Sequence, residues 1–179
     1  SINFNNYQKS TIHHAYDKVC DLAQERGVRV TGSELVGLIP LDAILMAGKY
    51  FLLKQRMTTG IPIKDIIEAA MQGLGLNDVT LFDPNEKIIE YAVSNKKNTL
   101  MLMNANDLIE EFSLKKATPG GGSAAALGGA LGASLCSMVS ALTFEKTSNI
   151  DIKDRMLELG ESSQKIMVEL SECVDSDTT

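Results

Sequence analysis

The chain has 179 residues, 44% of them hydrophobic and 22% charged, proportions that belong to a globular protein and exclude a disordered one. A formal net charge of −6 excludes a general nucleic-acid binder, because neutralising phosphates needs a basic face and no run of lysine or arginine builds one. The three cysteines, Cys20, Cys136 and Cys173, lie far apart with no metal-ligand spacing. That pattern speaks against a disulfide framework or a zinc site and fits a reducing compartment.

Residues 1–6 alternate polar and apolar side chains and predict a strand. Ser10 is placed to cap a helix over residues 11–26, with Ile12, Tyr16, Val19 and Ala23 on one face and Gly27 as its stop. Residues 28–31 read as a short strand and 34–39 as another extended run. Pro40 opens a helix to Lys54, and Pro62 precedes one over 63–73 with Gly75 as its C-terminal cap. Asp83-Pro84-Asn85-Glu86 has the form of a capping box and starts a short helix to Val93. Residues 94–99 are polar and suit a linker. Beyond them every element reads as helix. Asn106 caps one to about Lys116, residues 118–123 break the chain, and a long helix runs over 123–143. The last starts near Asp151, with Ile152, Met156, Leu159, Ser163, Ile166, Leu170 and Cys173 at the three–four spacing of a coiled-coil seam.

Aromatic residues divide the chain the same way. Eight of the nine Phe and Tyr residues lie at or before Phe112, and the region past residue 118 is built from Ala, Gly, Ser and Leu. Two packing environments and a boundary at the 94–99 linker follow. The chain starts at Ser1, shows no signal peptide, and ends in a helical pattern without a Gly or Pro stop. The length therefore reads as two incomplete domains.

Four features bear on chemistry. Residues 123–143 carry no charge and are long enough to cross a bilayer, with Gly128 and Gly132 at the spacing of membrane helix pairs. Only six of their side chains are large and apolar, so a buried, close-packed helix of a soluble protein is the expectation. Thr118-Pro119-Gly120-Gly121-Gly122-Ser123 precedes that helix. Bare backbone amides at a positive helix end suit a carboxylate or phosphate, and a plain inter-helix turn capped by Ser123 is the competing reading. Residues 31–40 hold Gly32, Ser33 and Glu34 in an apolar run. Glu34 suits a general base or an acceptor for a bound heterocycle, or else a surface position at a strand-to-helix crossing. His13 and His14 are adjacent, point about 100° apart on a helix, and do not chelate one metal. Both are expected at the surface. Asp175 and Asp177, two residues apart, point to different faces and by default are solvated.

Residues 31–41, Lys87-Ile88-Ile89-Glu90-Tyr91 and Ser1–Tyr7 resemble the C-terminal subdomain of glutamate formiminotransferase. Thr118–Ser123 with the following Ala/Gly helix, and Val174-Asp175-Ser176-Asp177, resemble the start of formiminotetrahydrofolate cyclodeaminase. Their order is that of the bifunctional formiminotransferase-cyclodeaminase family, and the resemblance covers nearly the whole chain. It implies an α+β fold, an α/β transferase subdomain portion over 1–98 followed by an all-helical cyclodeaminase-like bundle portion over 99–179. It implies a cytoplasmic, homo-oligomeric enzyme of histidine breakdown. One activity moves a formimino group from formiminoglutamate to tetrahydrofolate. The other cyclises 5-formiminotetrahydrofolate to the methenyl form and releases ammonia. Tetrahydrofolate is then the co-substrate, folate and glutamate derivatives are the partners, and no metal, membrane or nucleic acid is called for. By motif position Asp175 and Asp177 are the catalytic candidates. Gly32, Ser33 and Glu34 together with Pro119, Gly120, Gly121, Gly122 and Ser123 are the folate-binding candidates. The transferase's earlier subdomain, with its catalytic histidine, has no counterpart here, so His13 and His14 receive no such role and the isolated chain is expected to turn over little. The rival is a non-catalytic helical oligomerisation or binding module derived from the same fold.

Overall fold

A computed structural model describes residues 1–94 and 99–176. They form two compact units, Ser1–Met57 with Pro62–Ser94, and Thr58–Ile61 with Asn95–Thr179. Most of the expected 94–99 linker lies outside the described residues. The first unit holds α1 (Ile12–Glu25), α2 (Leu41–Lys54), α3 (Ile63–Leu74) and two single-turn helices, α4 (Pro84–Lys87) and α5 (Ile89–Ala92). The second holds a 3-10 turn (Leu100–Leu102), α6 (Ala105–Ser113), α7 (Gly121–Lys146) and α8 (Ile150–Ser176).

The α+β expectation is corrected: the described residues are all-helical and contain no sheet. Residues 1–6, 28–31 and 34–39, expected as strands or extended runs, form no ladder. A strand needs a neighbour for its amides and carbonyls, and here the pairing shrinks to one parallel bridge between Ile39 and Ile88. Ile39 N–H donates to Lys87 O at 2.9 Å, and Ile89 N–H donates to Ile39 O at 3.0 Å. Val36 is left 87% exposed. The same bridge interrupts the helix expected to run to Val93. Ile88 is fully buried and extended between α4 and α5.

Around that bridge the first unit builds its core. Ile44, Ala47 and Phe51 recur along one face of α2 and pack with Ile67, Ala70, Met71 and Leu74 of α3, with Phe82 and Ile88 completing the cluster. Small residues let α2 and α3 approach closely. A Cβ on Gly48 would lie 2.0 Å from Ile66 O. Gly75 closes α3 in the left-handed region at φ 61°, as its position after the helix predicts. Two caps move. Thr11, not Ser10, precedes α1, and its hydroxyl bonds His14 Nδ1 at 2.8 Å. Asn104, not Asn106, caps α6, accepting from Asp107 N–H at 3.0 Å.

In the second unit α7 and α8 form an antiparallel hairpin. Three contacts set its register: Gly129 against Leu170 Cδ1, Ser137 Oγ with Gln164 Nε2 at 2.7 Å, and Phe144 beneath Lys153 Nζ. The face of α7 that is buried carries Ser123, Ala130, Ser137, Ser140 and Phe144. α8 answers with Gly160, Ser163 and Val174. The predicted seam is therefore half right. Ser163 is buried and Met156 and Leu170 are partly buried, whereas Ile152, Leu159, Ile166 and Cys173 are exposed. A partner face of serine and alanine takes small residues, so α8 rotates its bulk away. Gly160 also meets Gly60, where an added Cβ would come 2.6 Å from Gly160 Cα. Ser137 Oγ donates to Gly60 O at 3.0 Å, and Thr59 Oγ1 donates to Glu161 Oε1 at 2.8 Å. The expectation that the long apolar helix is buried is also corrected. By length and composition α7 could cross a membrane, and only 17% of its most apolar window is buried.

Two glycine substitutions separate packing from propensity. Gly48→Ala should destabilise the chain by about 1–3 kcal/mol through overpacking against Ile66. Gly132→Ala, in an open helical position, should stabilise it by roughly 0.5–1 kcal/mol. Urea denaturation midpoints moving in opposite directions check both.

Candidate functional site

Two places gather the residues singled out by sequence. In the first unit, Gly32, Ser33 and Glu34 line a cavity of about 370 Å³ whose walls are mainly apolar, including Phe4, Ile12, Leu35 and Leu76. Gly32 is required by a close approach. A Cβ there would meet Asp78 Cβ at 2.6 Å and Gly75 O at 2.8 Å. Ser33 ties the same segment to the end of α3: its N–H donates to Gly75 O at 3.1 Å and its hydroxyl to Leu74 O at 2.6 Å. Those two residues hold the wall in place, and Glu34 is left exposed on the cavity's edge. Tyr16, which also lines the cavity, is pushed above the usual phenol range by burial and then by Cys20, so it stays a neutral hydroxyl. An apolar slot with a carboxylate and a phenol at its margin suits a flat heterocycle bearing N–H donors.

In the second unit the hairpin register puts the start of α7 beside the end of α8. Residue 129 lies against 170, 137 against 164 and 144 against 153. Extending that register by two turns places Ser123 and Ala124 opposite Asp175 and Ser176. Gly120 takes the N-cap position without a side-chain cap, and the first turn of α7 carries no acidic residue. Gly121 and Gly122 are exposed and Ser123 is fully buried within the first turn. Ser123 is thus not the cap of a plain turn. Pro119 joins Thr118 through a cis peptide bond and is partly buried. Asp175, half-buried, accepts from Leu100 N–H at 2.7 Å. Asp177 lies outside the described residues. The structure thus gathers Gly120, Gly121, Gly122, Ser123 and Asp175 at one end of the hairpin. The backbone donor from Leu100 is a partner that no side-chain motif could have announced.

The two histidines part company. His14 is exposed, as expected, but His13 is buried, which corrects the surface expectation. Its ring stacks on Tyr50 of α2 at 4.5 Å, and its Nδ1 is buried without a hydrogen-bond partner. Tyr50 and Lys54, one turn apart on α2, both donate to Asp17 Oδ2, each at 2.5 Å. Burial holds His13 below its ordinary value, helped by His14 and opposed by Asp17. Burial tends to raise Asp17, and the hydrogen bonds from Lys54 and Tyr50 outweigh it and lower the carboxyl. The Tyr50/Lys54 spacing was the one sequence signal for this cluster. Neither histidine lines the cavity, and no group of three or more His, Cys, Asp or Glu residues suited to a metal occurs among the described residues.

The geometry divides into a helical subdomain with an apolar cavity and a glycine-led helical hairpin, and comparison with known proteins divides the chain in the same order. Residues 1–94 match the formiminotransferase domain and residues 104–179 match the formiminotransferase-cyclodeaminase region. The chain belongs to the formiminotransferase-cyclodeaminase family. It is 33% identical over 179 residues to the formimidoyltransferase-cyclodeaminase of Rattus norvegicus, covering 99% of this chain and 33% of that protein. The Dictyostelium discoideum formimidoyltransferase-cyclodeaminase is 36% identical over 149 residues, 82% of this chain and 28% of its own length. A glutamate formimidoyltransferase of Thermoplasma acidophilum is 36% identical over 72 residues, 40% of this chain and 22% of its own. The chain spans about a third of the length of the curated full-length relatives it matches.

The His13 cluster predicts a pH signature. A histidine held below its unfolded value contributes stability that is present above pH ~6.5 and is lost as pH falls toward the folded value, because the unfolded chain binds the proton first. Asp17, also lowered, adds a second loss only below pH ~4. Unfolding free energy measured between pH 7.5 and 5 should fall with acidification. His13→Phe, which keeps a ring against Tyr50, should flatten that slope, and an unchanged slope would contradict the assignment.

Proposed function

We propose that this chain is the junction region of a folate-dependent bifunctional enzyme of histidine degradation, carrying part of each of two active sites. The observation that supports this reading is the register of the α7/α8 hairpin, which sets the Gly120–Ser123 turn and Asp175 at the same end. In this reading the whole enzyme is a cytoplasmic homo-oligomer that moves a formimino group from formiminoglutamate to tetrahydrofolate and then cyclises the product. Tetrahydrofolate is the co-substrate, and its glutamate carboxylates dock at the positive N-terminal end of α7, which has no side-chain cap. Folate approaches the first-unit cavity through its flat heterocycle, with Glu34 accepting from ring N–H groups and Gly32 and Ser33 shaping the wall.

The cyclisation follows from carboxyl chemistry. The N10 amine adds to the formimino carbon on N5, and the former imino nitrogen must gain a proton before it departs as ammonia. Asp175, held by the Leu100 N–H, is the proton carrier in this reading, with Asp177 the second candidate by sequence position. A nearby carboxylate also stabilises the amidinium-like cation that forms as ammonia leaves. Pro119 and the three glycines keep side chains away from the amides that bind the tail.

An amide-resolved NMR titration of the 179-residue chain with tetrahydrofolate pentaglutamate tests the proposal. Shifts should concentrate at Gly121, Gly122 and Ser123. Gly121→Leu should abolish them with little change in melting temperature, since nothing lies within 4 Å of an added Cβ. Shifts elsewhere only, or a lowered melting temperature with unchanged folate affinity, would favour a plain turn. The purified chain should release little ammonia from 5-formiminotetrahydrofolate, and robust release would contradict its reading as a part of each site.

A further inference from the structure

Of the three long helices in the first unit, α1 is the least anchored. α2 buries six of its residues and α3 five, whereas α1 buries only His13. Ile12 and Tyr16 reach the core cluster and stay partly buried. A helix with so little apolar burial opens at a lower free energy than the elements that make the core. Its opening matters because Ile12, Ala15, Tyr16 and Val19 of α1 are four of the cavity's walls.

Two side chains one turn apart fasten α1 to α2, and both meet Tyr50. The His13 ring stacks on the Tyr50 ring at 4.5 Å between centroids and 24° between planes. Asp17 accepts from the Tyr50 hydroxyl and from Lys54 Nζ. The titratable groups around His13 are thus His14 and Asp17 on its own helix and Tyr50 and Lys54 on α2. Asp17 is held below its ordinary value and stays ionised in mild acid. Tyr50 and Lys54, raised first by their hydrogen bonds to Asp17, stay protonated. His14 is exposed, with its Nδ1 on the Thr11 hydroxyl at 2.8 Å.

His13 stands apart from these. Only 5% of its surface is exposed, and its Nδ1 is buried with no hydrogen-bond partner. A neutral ring suits that place, because stacking on Tyr50 needs only an aromatic face. An imidazolium carries N–H on both nitrogens. Protonation therefore sets a charged donor where nothing accepts it, and burial outweighs the attraction of Asp17. With α1 lifted from Tyr50, both ring nitrogens reach water and that cost disappears.

We infer that His13 is a proton-operated latch: neutral, it holds α1 on Tyr50 and keeps the cavity wall in place, and protonated, it releases α1 and opens that wall. The released helix takes up the proton near the ordinary histidine value of about 6.5, so the latch loosens as pH falls below it. Native-state hydrogen exchange of the 179-residue chain, corrected for intrinsic rates, tests this without any ligand and so independently of the folate reading. Near pH 7.5 the α1 amides should exchange faster than those of α3, through an opening that about 1 M urea scarcely changes while it accelerates α3. Acidification to about pH 5.5 should multiply α1 opening roughly three- to tenfold. His13→Phe, which keeps a ring against Tyr50, should abolish that rise, and His14→Gln should retain it. In the unsubstituted chain, α1 opening only together with α3 and with the same urea dependence, or α1 opening unchanged by acid, would overturn the inference. So would a rise that persists in His13→Phe or vanishes in His14→Gln.

Discussion

The second unit depends on the near absence of bulk on the face that α7 turns to α8. Ser123, Ala130 and Ser137 occupy successive heptad positions there, Gln164 of α8 reaches Ser137, and Leu170 lies against Gly129. With so little side chain on this face, the contact gains from dispersion between many atoms more than from transfer of large apolar groups. Buried hydroxyls impose a second condition, since one left without a partner costs about 1–3 kcal/mol. Ser140 meets it by donating to Cys136 O one turn back at 2.8 Å. Ser137 meets it by linking Gln164 to Gly60 O. A leucine seam tolerates a slip of one layer at modest cost. A seam pinned by these directional bonds does not.

That register has a consequence for chemistry. It brings the glycine-led start of α7, whose amides lack a side-chain cap, to the level of Asp175 at the end of α8. In the proposed reading, a positive helix end and a carboxylate held by a backbone N–H are the two charge elements that serve a negatively tailed substrate and a departing amine. It also turns Leu131, Leu135, Met138 and Leu142 outward, so the apolar bulk of α7 is available to something other than α8. In the first unit the corresponding economy of size is the Gly48–Ile66 approach, which holds α2 on α3. The anchoring of residues 32–33 at the end of α3 then leaves the cavity with Glu34 at its edge.

Helices were legible in the sequence where a face repeats and an end is punctuated. α2 and α3 follow Pro40 and Pro62 as expected, and Gly75 closes α3 in the left-handed conformation. Strands were not, because the alternation at 1–6 and the apolar runs at 28–31 and 34–39 record only which side chains are apolar. A strand exists by its partner, and among the described residues the partner is the single Ile39–Ile88 bridge. The α8 seam was misplaced for a related reason. Large aliphatic residues at 152, 159 and 166 draw the eye, but the partner face accepts glycine and serine. For the site, the glycine run and Asp175 were visible as motifs. The Leu100 N–H that holds Asp175 was not, since a backbone donor has no signature. His13 was misjudged because its burial is made by Tyr50, far off in sequence on another helix.

The register of the α7/α8 hairpin is the claim on which the rest turns, and proton–proton contacts measure it directly. In a methyl-labelled chain, nuclear Overhauser spectra should connect the Leu170 methyls to the Gly129 α protons, and the Gln164 side-chain amide to the Ser137 β protons. Cross-peaks displaced by a turn, such as Leu170 to Gly132 in place of Gly129, would contradict it and would remove Asp175 from the start of α7.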